Sequence, residues 1–249
     1  MIPRAFPFFL VLMSLLTSTQ STASISLSAT RIVFDAGNKE ANITVRNGNQ
    51  DTLIQSWIDS KDSKNSSPHF AVIPALARIS ANEQQLLRVI YEGTGMAQGK
   101  ESVIWLNIQE IPKAPSAKNT LQLAVRQRIK VFYRPAGLPG DALSAPTGLQ
   151  WTLSSLPEKR TLVVKNPTPY YVSMSDIQIL SSGREEMLSE SMMIAPDAEI
   201  IFPINIKFDT NIDLNYHSIN DYGARHRYTA KLNSKIATHA KLTDTPISP

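Results

Sequence analysis

Apolar and polar residues alternate along the stretch 121–135, Leu-Gln-Leu-Ala-Val-Arg-Gln-Arg-Ile-Lys-Val-Phe-Tyr-Arg-Pro. One row is apolar except at Gln127, and most of the other row is glutamine, arginine and lysine. A period of two residues, rich in β-branched and aromatic side chains, predicts a β-strand. At ~3.3 Å per residue this stretch would extend about 50 Å, far beyond an ordinary strand. We expect it to end at Pro135, because proline donates no ladder hydrogen bond.

The apolar row of this strand admits two interpretations. It is either the core face of a β-sandwich, or the face of a long edge strand that is offered to a partner. Similar short apolar runs, separated by turn-rich segments, precede it, and the total is typical of an immunoglobulin-like sandwich. These runs are 25–34, 41–46, 53–58, 70–79, 86–91 and 103–111.

A second β domain follows a segment that is dense in proline and glycine. Residues 136–148 have the composition of a linker between domains. Beyond them the short apolar runs resume, and the end of the chain from 241 to 249 is predicted to be a flexible tail. The resumed runs are 149–153, 161–164, 170–180, 199–208 and 225–232.

The beginning of the chain has the pattern of a secretory signal peptide. Arg4 precedes an apolar run over 5–16, and small residues stand at Ser21 and Ala23. The run is shorter than the ~20 residues that span a membrane. We expect cleavage after Ala23 and export of a soluble chain. The predicted units are a signal peptide over 1–23, domains over 24–135 and 149–240, the linker 136–148 and the tail 241–249.

Composition narrows the functional classes. The chain has no cysteine, so its domains must be stabilised by hydrophobic cores without disulfides. The net charge of +4 is spread along the sequence, which disfavours a nucleic-acid-binding protein. The four histidines are scattered, and neither a nucleophile elbow nor a phosphate-binding glycine loop is present. We therefore expect no enzyme activity, no catalytic residue, no metal and no cofactor.

Two basic residues are candidates for binding. Arg31 lies at alternate positions with Ile25, Leu27 and Val33. An arginine in an apolar row either extends its charge to the rim of the sheet or meets an anion, because burying an unpaired charge is costly. Lys130 falls on the polar row of 121–135, where a solvated charge is the simplest interpretation.

Four motifs, in order along the chain, resemble those of one family. They are 30–34 (Thr-Arg-Ile-Val-Phe), 129–135 (Ile-Lys-Val-Phe-Tyr-Arg-Pro), 165–171 (Lys-Asn-Pro-Thr-Pro-Tyr-Tyr) and 219–223 (Ile-Asn-Asp-Tyr-Gly). The chain resembles periplasmic chaperones of the chaperone–usher pilus assembly family. The resemblance implies an all-β fold of two immunoglobulin-like sandwiches arranged as a boomerang. It also implies a function: such chaperones bind fimbrial subunits, fold them by donating a β-strand, and deliver them to an outer-membrane usher.

The resemblance also implies roles for particular residues. Arg31 and Lys130 match the cleft pair that holds the C-terminal carboxylate of a subunit. Leu121, Leu123 and Val125 match the row inserted into the groove of the subunit.

Three further positions, Glu101, Arg134 and Asp221, match an ion network between the domains. The short loop 112–119 resembles the short-loop branch of the family. The resemblance leaves open whether the free chaperone self-associates and whether the peptide bond before Pro74 is cis. Two other classes stay open: a secreted two-domain adhesin or binding module, in which Arg31 and Lys130 would be incidental, and an enzyme with a site assembled from scattered Asp, Glu and His residues.

Overall fold

A computed structural model describes residues 25–59, 69–112, 123–156, 159–206, 211–233 and 236–243. The predicted signal peptide, residue 121, the loop 112–119 beyond its first residue, and the tail from residue 244 onward lie outside the described residues. No helix in the described ranges is long and apolar enough to cross a membrane. The described chain forms β-strands and one helical turn, arranged as two sandwiches, which confirms the predicted two-domain β fold.

The N-terminal sandwich packs a four-stranded sheet, β1-β3-β7-β5, against a five-stranded sheet, β2-β9-β8-β4-β6. Four aromatic side chains, Phe34, Phe70, Tyr91 and Tyr133, meet in its core with ring centroids 4.7 to 6.2 Å apart. The strands are β1 (Ile25–Leu27), β2 (Arg31–Asp35), β3 (Glu40–Asn47), β4 (Thr52–Asp59), β5 (Phe70–Ile73), β6 (Leu76–Ile79), β7 (Gln84–Tyr91), β8 (Ser102–Ile111) and β9 (Arg126–Arg134).

Two predicted single strands are each divided between the two sheets. The run 25–34 becomes β1 in one sheet and β2 in the other, and 70–79 becomes β5 and β6. The second division lies at the cis peptide bond between Ile73 and Pro74. A chain that changes sheets within a sandwich keeps its apolar character while its inward row shifts, so the alternation does not continue across the break.

The C-terminal sandwich packs the sheet β10-β11-β14 against β13-β12-β15-β16-β17. Trp151 and Tyr216 are fully buried in its core, and the Tyr216 hydroxyl donates to the Pro146 carbonyl over 3.0 Å. The elements are α1 (Ala145–Gly148), β10 (Gln150–Leu156), β11 (Lys159–Lys165), β12 (Val172–Ser181), β13 (Arg184–Ile194), β14 (Glu199–Pro203), β15 (Asn211–Ile219), β16 (Arg225–Asn233) and β17 (Lys241–Leu242).

The sequence patterns missed β13, β15 and β17. The short β17 pairs with β16, so the prediction of a flexible tail from residue 241 is wrong at its first two residues. β13 pairs only with β12 at the edge of its sheet, and most of its residues are polar. In β15 the buried residues Ile212, Leu214, Tyr216 and Ser218 do alternate. The signal for β15, apolar residues alternating with polar ones, was therefore present in the sequence and was overlooked.

Candidate functional site

Arg31 and Lys130 are direct neighbours on paired strands. β2 and β9 run parallel, and the register pairs Arg31 with Lys130. In β2 the core row is Ile32 and Phe34, which are 5% and 0% exposed. Arg31 therefore lies on the opposite face of the sheet, and the expectation that it interrupts the apolar row of Ile25 is wrong because β1 and β2 belong to different sheets.

Both side chains reach the C-terminal sandwich. The Arg31 guanidinium donates from Nη1 to the carbonyl of Ile219 over 2.9 Å. Lys130 Nζ donates to Ser173 Oγ over 3.3 Å. We call these four residues the interdomain cleft. Within the described ranges neither cation has an acidic side chain within ion-pair distance, and Arg31 Nε is buried without a hydrogen-bond partner.

The electrostatics of the interdomain cleft favour an anion. Burial, with the neighbouring charge of Arg31 as a second cause, lowers the pKa of Lys130 to about 8. Burial also lowers the pKa of Arg31, although attraction to Asp221 opposes that shift. Two partly buried cations side by side destabilise each other's charged form, so an anion bound between them would be attracted by both.

Arg134, at the end of β9, joins Glu101 to Asp221. Its Nη2 and Nε donate to Glu101 Oε1 over 2.7 and 3.1 Å, and its Nη1 donates to Asp221 Oδ2 over 3.0 Å. The second oxygen of Glu101 accepts from the backbone N–H of Tyr171 over 2.8 Å. The structure thus brings together all three residues of the predicted ion network, and their contacts connect the two sandwiches.

Burial affects the pKa values of both Glu101 and Arg134. Glu101 is 3% exposed, and burial raises the pKa of its carboxyl group against the opposing attraction of Arg134. Burial alone would lower the pKa of Arg134, but hydrogen bonding and attraction from Asp221 and Glu101 outweigh it and raise that pKa. The Arg134 guanidinium also lies 5.4 Å from the ring centre of Tyr170. It therefore stays charged and compensates a carboxylate that is excluded from water.

Two asparagine-centred turns present the C-terminal side of this interface. Asn166 is fully buried, donates to the carbonyl of Tyr170 over 2.7 Å and accepts from the N–H of Thr168 over 3.0 Å. Asn220 Oδ1 accepts from the backbone N–H groups of Tyr222 and Ala224, each over 3.0 Å. Such side-chain-to-backbone bonds stabilise turns, and they order the backbone beside Tyr171 and Asp221.

A glycine allows the second turn to approach the N-terminal sandwich. Gly223 has a φ of +86°, and a Cβ there would lie 2.9 Å from Thr30 Oγ1. A larger residue would be strained by its backbone conformation and would press against the residue that precedes Arg31. The glycine in the 219–223 motif therefore has a steric explanation.

The predicted donor row lies just before β9. Leu123 and Val125 are 74% and 51% exposed, and the Val125 carbonyl accepts from the N–H of Glu110 over 3.0 Å. The same row continues into the core, where Ile129 is 8% exposed. Leu121 lies outside the described residues, and the regular strand begins at Arg126 rather than at 121.

Sequence reasoning missed the partners of the two basic residues. Ser173 had no distinguishing pattern, since serine is common in strands and loops alike. Ile219 contributes through its backbone carbonyl, although it is the first residue of the 219–223 motif. Phe132, whose ring centre lies 6.2 Å from that of Tyr171, was also missed, because it sits in the polar row of its strand.

Comparisons with known proteins agree with this architecture. Residues 24–139 match the model of the pili and flagellar-assembly chaperone, PapD N-terminal domain, and residues 144–230 match that of the pili assembly chaperone PapD, C-terminal domain. The probable fimbrial chaperone YadV of Escherichia coli K12 is 36% identical over 229 residues, which cover 86% of this chain and 92% of YadV.

Solved structures give the same result. The crystal structure of the YadV chaperone has a TM-score of 0.73 at 35% identity, covering 84% of this chain and 100% of that one. The Pseudomonas aeruginosa CupB2 chaperone has a TM-score of 0.70 at 30% identity, with coverage of 84% and 100%. Salmonella enterica SafB, solved in complex with the SafA pilin, has a TM-score of 0.69 at 26% identity, covering 85% of this chain and 98% of SafB. With both sandwiches matched, this chain belongs to the PapD family of pilus-assembly chaperones.

Proposed function

We propose that this protein is a periplasmic chaperone that binds pilus subunits, completes their fold by donating a β-strand, and delivers them to an outer-membrane usher. Family membership supports the assembly role, and the SafB chaperone is similar to this chain and was solved with the SafA pilin. The signal-peptide pattern in residues 1–23 supports export to the periplasm. Subunit binding, rather than catalysis, is the activity.

The observation that carries the proposal is the pairing of Arg31 with Lys130 in the interdomain cleft. Two cations without an acidic partner in the described chain form a receptor for one carboxylate. A guanidinium donates two parallel hydrogen bonds to a carboxylate, and an ammonium adds a point charge. The C-terminal carboxylate of a subunit is the ligand that we assign to them.

Anchoring that terminus would determine the register of the complex. The row of Leu121, Leu123 and Val125 would fill a groove of the subunit while its backbone extends the edge of the subunit sheet. A shift of one residue would turn every donated side chain away from the groove. The exposure of Leu123 and Val125, which is 74% and 51%, supports this role.

Glu101, Arg134 and Asp221 act, in this proposal, as the support of the interdomain cleft. They lie within the interface and hold the strand that bears Lys130 against the C-terminal sandwich. The functional units would be domains over 24–135 and 149–240, joined by the linker 136–148. The loop at 219–223, which carries Asp221, positions the carbonyl that Arg31 contacts.

Alanine substitution of the cleft cations tests the proposal. Arg31→Ala and Lys130→Ala should each abolish recovery of a pilus subunit that is co-produced in the periplasm and pulled down with the tagged chaperone. Loss of one partner of a desolvated charge pair costs about 2–5 kcal/mol, which lowers affinity by more than tenfold. Arg46→Ala, at an exposed position of the other sheet, is the matched control.

The variants must keep their fold for this comparison, which far-ultraviolet circular dichroism checks. Normal subunit recovery from both cleft variants would rule out carboxylate anchoring. It would favour a two-domain adhesin or binding module, for which these two residues are incidental.

A further inference from the structure

A cavity of about 230 Å³ lies between the two sandwiches, beside the interdomain cleft. Arg31 contributes to its wall from β2, and Ser173 contributes from β12. Lys130 donates a hydrogen bond to that same Ser173. The cavity therefore adjoins the place where the two cations would hold a carboxylate. Its apolar lining includes Phe132, Leu143, Pro146, Tyr171, Ile219 and Tyr222.

The side chain of a terminal residue branches from the carbon next to its carboxylate. A carboxylate held by Lys130 and by Arg31, which lines the cavity, would therefore bring that side chain beside the cavity. At ~30 Å³ per water molecule the cavity of about 230 Å³ has the volume of roughly eight waters, which is enough room for one large side chain. The position and the volume of the cavity are thus both consistent with one terminal side chain as its occupant.

The charges in the wall exclude a charged occupant. Glu101 and Asp221 both line the cavity, but each is already paired with Arg134. Arg31 would be neutralised by the bound carboxylate. Among the described lining residues a further charge on the occupant would meet no unpaired carboxylate, arginine or lysine, since the one other ionisable group besides tyrosine, His226, is hydrogen-bonded to Asn220. Burying the charge unpaired would be costly. A neutral side chain meets the apolar wall without this penalty.

We propose that this cavity receives the side chain of the last residue of the bound subunit and selects a neutral aromatic or branched aliphatic residue there. The inference rests on the proposed function, because it needs the carboxylate to be held by Arg31 and Lys130. We call the two cations the anchor and the cavity the pocket. The anchor would bind the carboxylate of any chain terminus, and the pocket would select the side chain of the terminal residue.

Short synthetic peptides of one alternating apolar sequence test the pocket. Four versions end in phenylalanine, glycine, aspartate or phenylalanine amide, and their affinities for the full chain are measured by titration calorimetry. The phenylalanine acid should bind about 10- to 100-fold more tightly than the glycine acid, because one large apolar side chain is buried. The aspartate peptide should bind no better than the glycine peptide.

A variant that fills the cavity separates the pocket from the anchor. Leu143 lines the cavity and is 49% exposed, so Leu143→Trp should fold and occupy part of the space. It should reduce phenylalanine-peptide affinity to the level of the glycine peptide and leave glycine-peptide affinity unchanged. Ile201→Trp, at a position 59% exposed on β14 and outside the lining, is the matched control and should change neither affinity.

The outcomes distinguish a failure of the pocket from a failure of the anchor. Equal affinity of the phenylalanine and glycine acids, with binding still lost in Arg31→Ala, would overturn the pocket and leave the anchor intact. Equal affinity of the phenylalanine acid and its amide, unaffected by Arg31→Ala, would overturn the anchor and the pocket with it.

Discussion

At the scale of single residues, the informative feature is a lysine next to an arginine in a partly buried cleft. Among the described residues the ammonium group of Lys130 donates to the neutral hydroxyl of Ser173 alone, and its neighbour Arg31 has the same charge. Desolvation and like charge both disfavour the ammonium form. The free protein thus contains an electrostatic cost that a bound carboxylate would remove.

This cost predicts a pH dependence of binding. The pKa of Lys130 is about 8, so the ammonium predominates at pH 7 and the neutral amine at pH 9. If only the ammonium form holds a carboxylate strongly, peptide affinity should fall about tenfold between these pH values. Titration calorimetry of Lys130→Arg is the control, since arginine stays charged and the fall should disappear; an equal fall in that variant would contradict the assignment.

The same pKa predicts an opposite trend for the stability of the free chain. Lys130 titrates near its usual value of 10.5 when unfolded and at about 8 when folded. Between these values the unfolded state binds more protons, so the free energy of unfolding should rise with pH because of this group. Urea denaturation of wild type and Lys130→Met at pH 7.5 and 9.5 measures it, and the pH-dependent gain should be smaller in the variant.

At the scale of elements, one alternating row changes its environment along its length. Ile129 and Val131 face the core of the N-terminal sandwich, whereas Leu123 and Val125 in the same row are exposed. Alternation assigns side chains to a row, but whether another sheet covers that row depends on distant parts of the chain. One part of the row therefore packs in the core of the chaperone. The exposed part, as we propose, packs in the core of the subunit.

Placing a carboxylate in the exposed part of this row tests its role. Leu123→Glu should fold normally by circular dichroism and thermal melting, because this position is 74% exposed. Subunit recovery from the periplasm should collapse, since the charge would enter an apolar groove. Val131→Glu, at a fully buried position of the same row, is the contrasting variant and should unfold the protein. An unfolded Leu123→Glu would show that this position belongs to the chaperone core.

At the scale of the whole molecule, ion pairs of unequal burial connect the two sandwiches. Glu101 and Arg134 are mostly excluded from solvent, whereas the pair of Lys100 with Asp197, 3.4 Å apart, has side chains 49% and 72% exposed. Exposed pairs contribute about 0–1 kcal/mol and weaken in salt. Buried pairs respond differently, because removing one partner leaves an uncompensated charge in a poorly solvated place.

This contrast yields a prediction for the interface. Arg134→Ala should lower the free energy of unfolding by about 3–5 kcal/mol, with little dependence on salt, because Glu101 stays buried without its cation. Asp221→Asn and Glu101→Gln should lower it less, since each amide keeps part of the hydrogen bonding. Asp197→Asn is the exposed control, with an expected change below about 1 kcal/mol. Urea denaturation at two salt concentrations measures all four; an unchanged Arg134→Ala would mean that the network does not support the interface.

The sequence by itself determined the β class, the two groups of strands, the linker composition and the end of β9 before Pro135. These features depend on local rules: alternation, turn residues and the missing N–H of proline. The family motifs also named Arg31 and Lys130, the two cations of the interdomain cleft, but not their partners Ile219 and Ser173. The local pattern did not predict β13, which is a mostly polar strand at the edge of its sheet. It also did not predict the break between β1 and β2, where one apolar run passes from one sheet to the other.

Only the tertiary structure decided which residues meet. Arg31 and Lys130 are about a hundred residues apart in sequence, and a parallel pairing makes them neighbours. Glu101, Arg134 and Asp221 likewise meet from three separate segments of the chain: the residue before β8, the end of β9 and the turn after β15. Strand pairing and burial depend on contacts between residues far apart in the sequence. Alternation shows only which side chains share one face of their strand. For that reason the sequence could list the charged residues of the interdomain cleft, while the fold determined that they share one solvent-poor space beside a cavity.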